Sequence, residues 1–234
     1  MWEKGKTPIN VVNLEKYLAN YPKRIDAELL LNGFSEGFRL QYIYAGLRFS
    51  SSSKNLLSAE LHQVETLVKL KNEIDLGRRL VPFSTKPISS LRISPIGLVQ
   101  KSDNSWRLIS HLSFPSGSSV NDFIHEDFRR VLYSSVDKVV EMISSLGRSA
   151  KVGKIDIRQT FRILIINPAD FDLMGITFCD MYYVDKCLPL GCASSCQLFE
   201  RFSSFLHWLV QYTSGIETLD HYLDDFYFCW VRVQ

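Results

Sequence analysis

Asp220-His221-Tyr222-Leu223-Asp224-Asp225-Phe226 lies near the C-terminal end of a 234-residue chain, and its reading decides the fold. Aromatic and aliphatic residues flank the two adjacent carboxylates, from Thr218 to Leu223 before them and from Phe226 to Trp230 after, in the pattern of two short strands. Joined by Asp224-Asp225, such strands form a hairpin whose tip crowds two anions into one small volume. Self-repulsion disfavours that arrangement unless a cation sits between them, and a divalent metal is the natural partner. A solvated Asp-Asp turn has the same sequence, so the pair alone carries two readings.

Segments further out separate those readings. Lys151-Val152-Gly153-Lys154-Ile155-Asp156-Ile157-Arg158-Gln159-Thr160-Phe161-Arg162 reads as a strand that ends in a lone Asp and passes into a brief helical turn, with the apolar run Ile163-Leu164-Ile165-Ile166 beyond. Leu188-Pro189-Leu190-Gly191 is a tight-turn signature, and the spacing predicts a long amphipathic helix from Cys192 to about Tyr212. In order, the chain offers a strand ending in Asp, a hairpin, a Leu-Pro-x-Gly turn, a helix, and a Tyr-x-Asp-Asp hairpin. This order resembles the palm of reverse transcriptases. More narrowly, it resembles the reverse transcriptase of DIRS-like and Ngaro-like tyrosine-recombinase retrotransposons, whose pattern is echoed by the stretch from Asp185 to Trp208 and by His221 to Phe226. It covers about Thr7 to Phe226.

The resemblance implies an α+β fold with the fingers and palm of a right-hand polymerase: an antiparallel palm sheet backed by helices, and no thumb. It divides the chain into an N-terminal helical extension (1–50), fingers (54–135) and an incomplete palm (136–234). It implies an RNA-directed DNA polymerase that transfers nucleotides to a primer 3′-hydroxyl, with an RNA or DNA template, primer and dNTP as partners. Asp156, Asp224 and Asp225 match the family's catalytic carboxylates and metal ligands, and the main-chain carbonyl of Ile157 is a further candidate ligand. The implied cofactor is two Mg²⁺ ions, with Mn²⁺ as an alternative. Two metals about 3.5–4 Å apart can activate the attacking oxygen and neutralise the leaving pyrophosphate. Lys101 and Arg107 match the nucleotide-binding residues of the fingers hairpin, Phe161 the aromatic gate beside the sugar, and Gly191 the turn glycine behind the nascent base pair.

Two departures accompany the match. Leu190 stands where retroviral enzymes carry Gln, so contacts from a Gln amide cannot be carried over. The family continues past its Asp-Asp hairpin into more palm strands and a thumb, whereas this chain stops at Gln234, with a tail from Cys229 that fits less well. No RNase H or recombinase segment is present. The chain reads as a fragment of a retroelement or as a gene model cut short.

Composition bounds the classes. At 46% hydrophobic and 22% charged residues it is that of an ordinary globular protein. No apolar run approaches the roughly 18 residues of a bilayer span, and the opening six residues lack a signal-peptide core, so the expected location is intracellular, cytoplasm or nucleus, not secreted and not in a membrane. Oligomeric state is not legible. The net charge of +2 hides an uneven distribution: +1 over residues 1–77, +7 over 78–162 and −6 over 163–234. A basic middle beside an acidic end suits a polymerase that needs cations for phosphates and carboxylates for metals; two unrelated solvated faces would look the same. The five cysteines show no Cys-x-x-Cys and no His at zinc-ligand spacing. Cys192 and Cys196 lie one helical turn apart, but buried small apolar residues are the expectation, with neither disulfide nor zinc.

Along the chain, helices are expected over Asn13–Asn20 and Arg24–Leu31, then a loop from Gly33 to Phe38 whose aromatics pack down. This region reads as a helical cap rather than a template contact. Ser50–Ser53 is the linker candidate. Leu61, Val64, Leu67, Val68 and Ile74 form the stripe of an amphipathic helix between Ser58 and Leu76. Strands over Ile93–Gln100 and Trp106–Leu112 flank the polar turn Lys101–Ser105, and any exposed hairpin of this kind can carry Lys and Arg. His111 reads as a satisfied structural histidine, and Val136 to Leu146 as an amphipathic helix stopped at Gly147. Phe161 would be a core aromatic but for the resemblance. In the long helix, Leu198, Phe199, Phe202, Phe205, Leu206 and Leu209 form the core stripe, with Glu200 and Arg201 solvated.

Two other readings stand beside the polymerase. A silent transposon remnant would at most bind nucleic acid through the basic middle; the retained Asp156, Asp224 and Asp225 count against long decay, the abrupt end for it. An RNA-binding sheet of RRM type would need an RNP pattern that is not found.

Overall fold

The computed structural model describes residues 2–44 and 46–231. The chain end from Arg232 lies outside them. Two helices open the chain, α1 (Val11–Leu18) and α2 (Arg24–Glu36), then α3 (Leu57–Leu61) and α4 (Gln63–Asp75). A hairpin of β1 (Ile96–Gln100) and β2 (Trp106–Ser110) leads to α5 (Val136–Leu146) and β3 (Ala150–Asp156). A second hairpin, β4 (Gly175–Phe178) and β5 (Met181–Val184), precedes α6 (Ser195–Ser214), β6 (Leu219–Tyr222) and β7 (Asp225–Val231). All strand pairs are antiparallel, and β3, β7 and β6 form one sheet in that order. Among the described residues, no helix is long and apolar enough to cross a membrane.

The main core lies between α6 and the N-terminal helices. Leu198, Phe199, Phe202 and Phe205 are buried along α6, with Leu206 and Leu209 packed against them. Phe202 meets Phe34 of α2 edge-on at 5.1 Å, and Phe205 meets Tyr21 at 5.3 Å. The expected loop at Gly33 is instead the last turn of α2. Gly33 is there for packing: the Phe38 ring folds back so closely that a Cβ would stand 2.2 Å from it. Phe34 and Phe38 are both buried, edge to face at 5.1 Å.

Other expectations are corrected by what the elements pack against. Ser50–Ser53 is no free linker, because Ser50 donates to the Leu91 carbonyl at 2.9 Å and Ser51 accepts from the Ile93 amide at 2.7 Å. The helix expected from Ser58 breaks at His62, whose backbone leaves the helical region. Its apolar stripe faces outward, with Leu61 69% and Val64 71% exposed. The hairpin beneath is two strands wide and covers only a narrow face, Ala59, Thr66 and Leu70. Glu200 and Arg201 are not solvated: Glu200 pairs with His221 at 2.9 Å and Arg201 with Asp26 of α2 at 2.5 Å. Cys192 lies in the turn before α6. Cys187, Cys192 and Cys229 are buried thiols, whereas Cys179 is exposed.

Two buried carboxylates organise the interior. Asp170 accepts from both Arg39 and Arg48 and from the Leu40 amide, and these bonds outweigh burial to hold its carboxyl below the usual range. Asp185, directly after β5, accepts from Arg79 through two bonds of 3.1 and 2.8 Å and from Arg162 at 2.8 Å. Arg162 also reaches Glu73 of α4 and the Cys187 carbonyl. This network joins α4, β5 and the turn that follows β3.

Candidate active site

Strand register assembles the acidic end of the sheet. The β3–β7 ladder runs from Ala150↔Val231 to Asp156↔Asp225, and the β6–β7 ladder ends at Tyr222↔Asp225. Asp156, Asp225 and Tyr222 therefore stand in one row at the sheet's end, with Leu223 and Asp224 as the connecting tip. Leu223 adopts φ 55°, a left-handed backbone that a leucine rarely takes and that needs support from its surroundings. Part of that support is the Ile157 amide, which donates to the Asp224 carbonyl at 2.9 Å and ties the exit of β3 to the tip.

Oxygens of Asp156, Asp224 and Asp225 come within 4.8 Å of one another, with Asp156 exposed and the other two half-buried. Three carboxylates at that spacing repel unless a cation joins them, and an all-oxygen donor set suits Mg²⁺ or Mn²⁺ better than zinc-class metals. The donor set thus fits the implied ions.

Neighbours that the sequence did not reveal complete the site. Thr160 donates its hydroxyl to Asp224 Oδ2 at 2.6 Å and lies 3.2 Å from the Ile157 carbonyl. One hydroxyl carries one proton, and the shorter bond to the carboxylate takes it, so the Ile157 carbonyl keeps its lone pairs for another partner. Lys154, two residues before Asp156 and so on its face of β3, places its ammonium 2.7 Å from Asp225 Oδ2. The hydrogen bond to Asp225 raises the lysine's pKa. Gln159, at φ 63°, turns the chain after the acidic strand, and Arg78 donates to its side chain. These partners become visible only once the strands are in register.

The other predicted residues lie on three elements. Lys101 is exposed at the β1–β2 tip, where its amide donates to the Ser105 carbonyl at 2.8 Å. Arg107 is exposed on β2 opposite Val99 and makes no ion pair among the described residues. Gly191 has φ 109°, and a Cβ on it would stand 2.3 Å from the Ser110 carbonyl at the end of β2. Only glycine permits both. Asn121, in the loop after the hairpin, donates to the Gly191 carbonyl at 2.8 Å and accepts from the Ala193 amide at 2.9 Å, clamping the turn to the hairpin's base. Phe161 is 9% exposed, and its ring lies edge-on to Phe199 at 5.9 Å. His111, expected to be a satisfied structural histidine, is exposed and stacks on Phe114.

No protein-family model matches this sequence, and no curated protein matches it. Among solved structures, the chain is similar to foamy viral protease-reverse transcriptase in complex with dsDNA, with a TM-score of 0.55 and 16% identity over 97% of this chain and 46% of that one. It is similar also to the dRH form of that protein with ds DNA (TM-score 0.54, 15% identity, 97% and 39% coverage). A third is native Prototype Foamy Virus protease-reverse transcriptase (0.53, 15%, 99% and 30%). The chain spans less than half the length of these structures. The likeness establishes the fold, a mixed α+β architecture with antiparallel sheets like that of a retroviral reverse transcriptase.

Proposed function

We propose that the chain is the fingers and palm of an RNA-directed DNA polymerase of retrotransposon origin, of the DIRS-like or Ngaro-like kind, working inside the cell on a primed RNA or DNA template with dNTPs. The observation that carries this reading is the convergence of Asp156, Asp224 and Asp225 at one end of a three-stranded antiparallel sheet in a reverse-transcriptase-like fold. The three regions, 1–50, 54–135 and 136–234, are the extension, fingers and palm of that reading.

Asp156, Asp224, Asp225 and the Ile157 carbonyl would hold the divalent ions. Bound Mg²⁺ supplies the charge that acidifies the primer 3′-hydroxyl and neutralises the leaving pyrophosphate. The protein's own part is placement. Thr160 fixes the Asp224 carboxylate, and the Ile157 amide fixes the tip that carries it. Arg107 and Lys101 would take the triphosphate, the guanidinium through its planar fork and the ammonium as a point charge. Gly191 and Asn121 set the turn behind the base pair, and Phe161 would close the sugar pocket against a ribose 2′-hydroxyl. The test is magnesium-dependent primer extension on an RNA template by the 234-residue chain; no extension, in a preparation shown to be folded, counts against the reading.

In the same assay, Phe161→Ala should narrow the preference for dNTP over NTP in kcat/KM by about 10- to 200-fold, the span of hydrophobic pocket discrimination. A ratio of two substrates is insensitive to the stability lost with the ring. An unchanged ratio returns Phe161 to a purely structural role.

One observation favours the second reading, a catalytically silent retroelement remnant. The Lys154 ammonium already sits on Asp225, where a metal would have to bind. If the site works, Lys154 competes with the ion, and Lys154→Met should lower the half-saturating Mg²⁺ concentration for extension by up to about five-fold, the scale of an exposed ion pair. Extension that appears only in Lys154→Met would assign the unaltered chain to the silent class.

A further inference from the structure

A second cluster of metal-binding side chains lies under the same sheet, between α6 and β6. His207 of α6 and His221 of β6 face each other with their Nδ1 atoms 2.8 Å apart, rings at 77°. A ligand atom of Asp220 lies within 4.8 Å of both. His221 is buried and stacks on Phe226, and its Nε2 is 2.9 Å from Glu200 Oε1. Ser134 donates to the Asp220 carboxylate.

We infer that His207, His221 and Asp220 bind a zinc-class divalent cation, separate from the three-carboxylate site, that pins β6 to α6. The chemistry of each group points the same way. A carboxylate oxygen accepts a hydrogen bond, so the Glu200 contact places the proton of His221 on Nε2 and leaves the Nδ1 lone pair free, the tautomer a metal requires. A ligating histidine whose other ring N–H is held by a carboxylate is the usual outer support of a metal centre. Glu200 Oε2 is buried without a partner, a cost that a nearby cation offsets. Two imidazoles and a carboxylate suit Zn²⁺ or Co²⁺ and are poor ligands for Mg²⁺.

The metal-free state explains the observed distance. There the two rings share one hydrogen bond, with His207 Nδ1–H donating to His221 Nδ1. Ligation requires the His207 proton to move to Nε2, and no net proton is released. Two nitrogens on one tetrahedral Zn²⁺ stand about 3.3 Å apart, so the rings must part by about half an ångström. His207 is only half-buried and can give that movement.

The test is Zn²⁺ binding by the whole chain after chelator treatment, in millimolar Mg²⁺ to fill the carboxylate site, followed by equilibrium dialysis and by the visible spectrum of the Co²⁺ form. The expected result is one tight ion per chain with tetrahedral Co²⁺ bands, kept in Asp224→Asn, lost in His207→Ala, and weakened about 10- to 100-fold in Glu200→Gln. His207→Gln, which keeps the size and helix preference of the side chain, should lose the ion as well while circular dichroism stays unchanged. No stoichiometric binding, or binding lost with Asp224→Asn and kept with His207→Gln, overturns the site and leaves the pair as a hydrogen bond between strand and helix.

Discussion

Asp224→Asn should slow magnesium-dependent primer extension at least about 1,000-fold while leaving affinity for the primed template within a few-fold. The substitution keeps nearly everything but the charge. An Asn side chain retains an oxygen that can accept the Thr160 hydroxyl, and the Ile157 amide bonds to the main chain at this position, so the tip keeps its shape. What goes is one of three anions within 4.8 Å, and with it much of the attraction for a divalent ion. Several kcal/mol of transition-state charge stabilisation by a metal corresponds to three or more powers of ten in rate. Template and primer, in contrast, would be gripped by the exposed basic residues between 101 and 158, which the substitution does not touch. Extension and binding lost in equal measure would show that Asp224 supports the fold or the duplex rather than a metal. Unchanged extension would remove it from the site altogether.

The second large effect is on stability. Asp185→Ala should cost about 3–5 kcal/mol in urea unfolding, and lower Tm by roughly 10 °C, because it removes the carboxylate that two guanidinium groups share and leaves the buried one, Arg79, unpaired. Asp185 is 2% exposed and Arg79 4%, and the carboxylate takes two bonds from Arg79 and one from Arg162. Burial by itself would raise the Asp185 carboxyl, but Arg162 and Arg79 outweigh it and hold the group ionised. Arg162 keeps Glu73 after the substitution, so the penalty falls mainly on Arg79, whose Nη1 is already buried without a partner. A loss below about 1 kcal/mol would mean that water reaches the site and solvates Arg79 in place of Asp185. The consequence reaches the acidic cluster, since Arg162 closes the short turn that carries Thr160.

Features carried by neighbouring residues were readable in the sequence, and those set by distant partners were not. The helix from Val136 to Leu146 is found at its expected bounds, because its periodicity is local and Gly147, at φ 79°, closes it. The Asp224-Asp225 hairpin was legible because alternation and turn are local. The stripe on α6 was legible because one helix face meets one large core. The stripe near Leu61 and Val64 misled for the opposite reason: periodicity names the most apolar face, but the width of the neighbouring hairpin decides which face is covered. Glu200 looked like a surface acid, and its partner His221 is reached only when β6 returns beneath α6. Lys154 and Thr160 lie two residues before and four after Asp156, yet their partners Asp225 and Asp224 come from the far hairpin, and only the β3–β7 register unites them.

Asn121 has a mechanical consequence. Its one amide group holds the Gly191 carbonyl and the Ala193 amide at the exit of the Leu188–Gly191 turn, and its own main-chain amide bonds to Leu112 just past β2. Hairpin and turn are therefore geared together, and a displacement of the hairpin drags the turn with it. A change at Asn121 itself disengages the gear, and hairpin and turn then move independently.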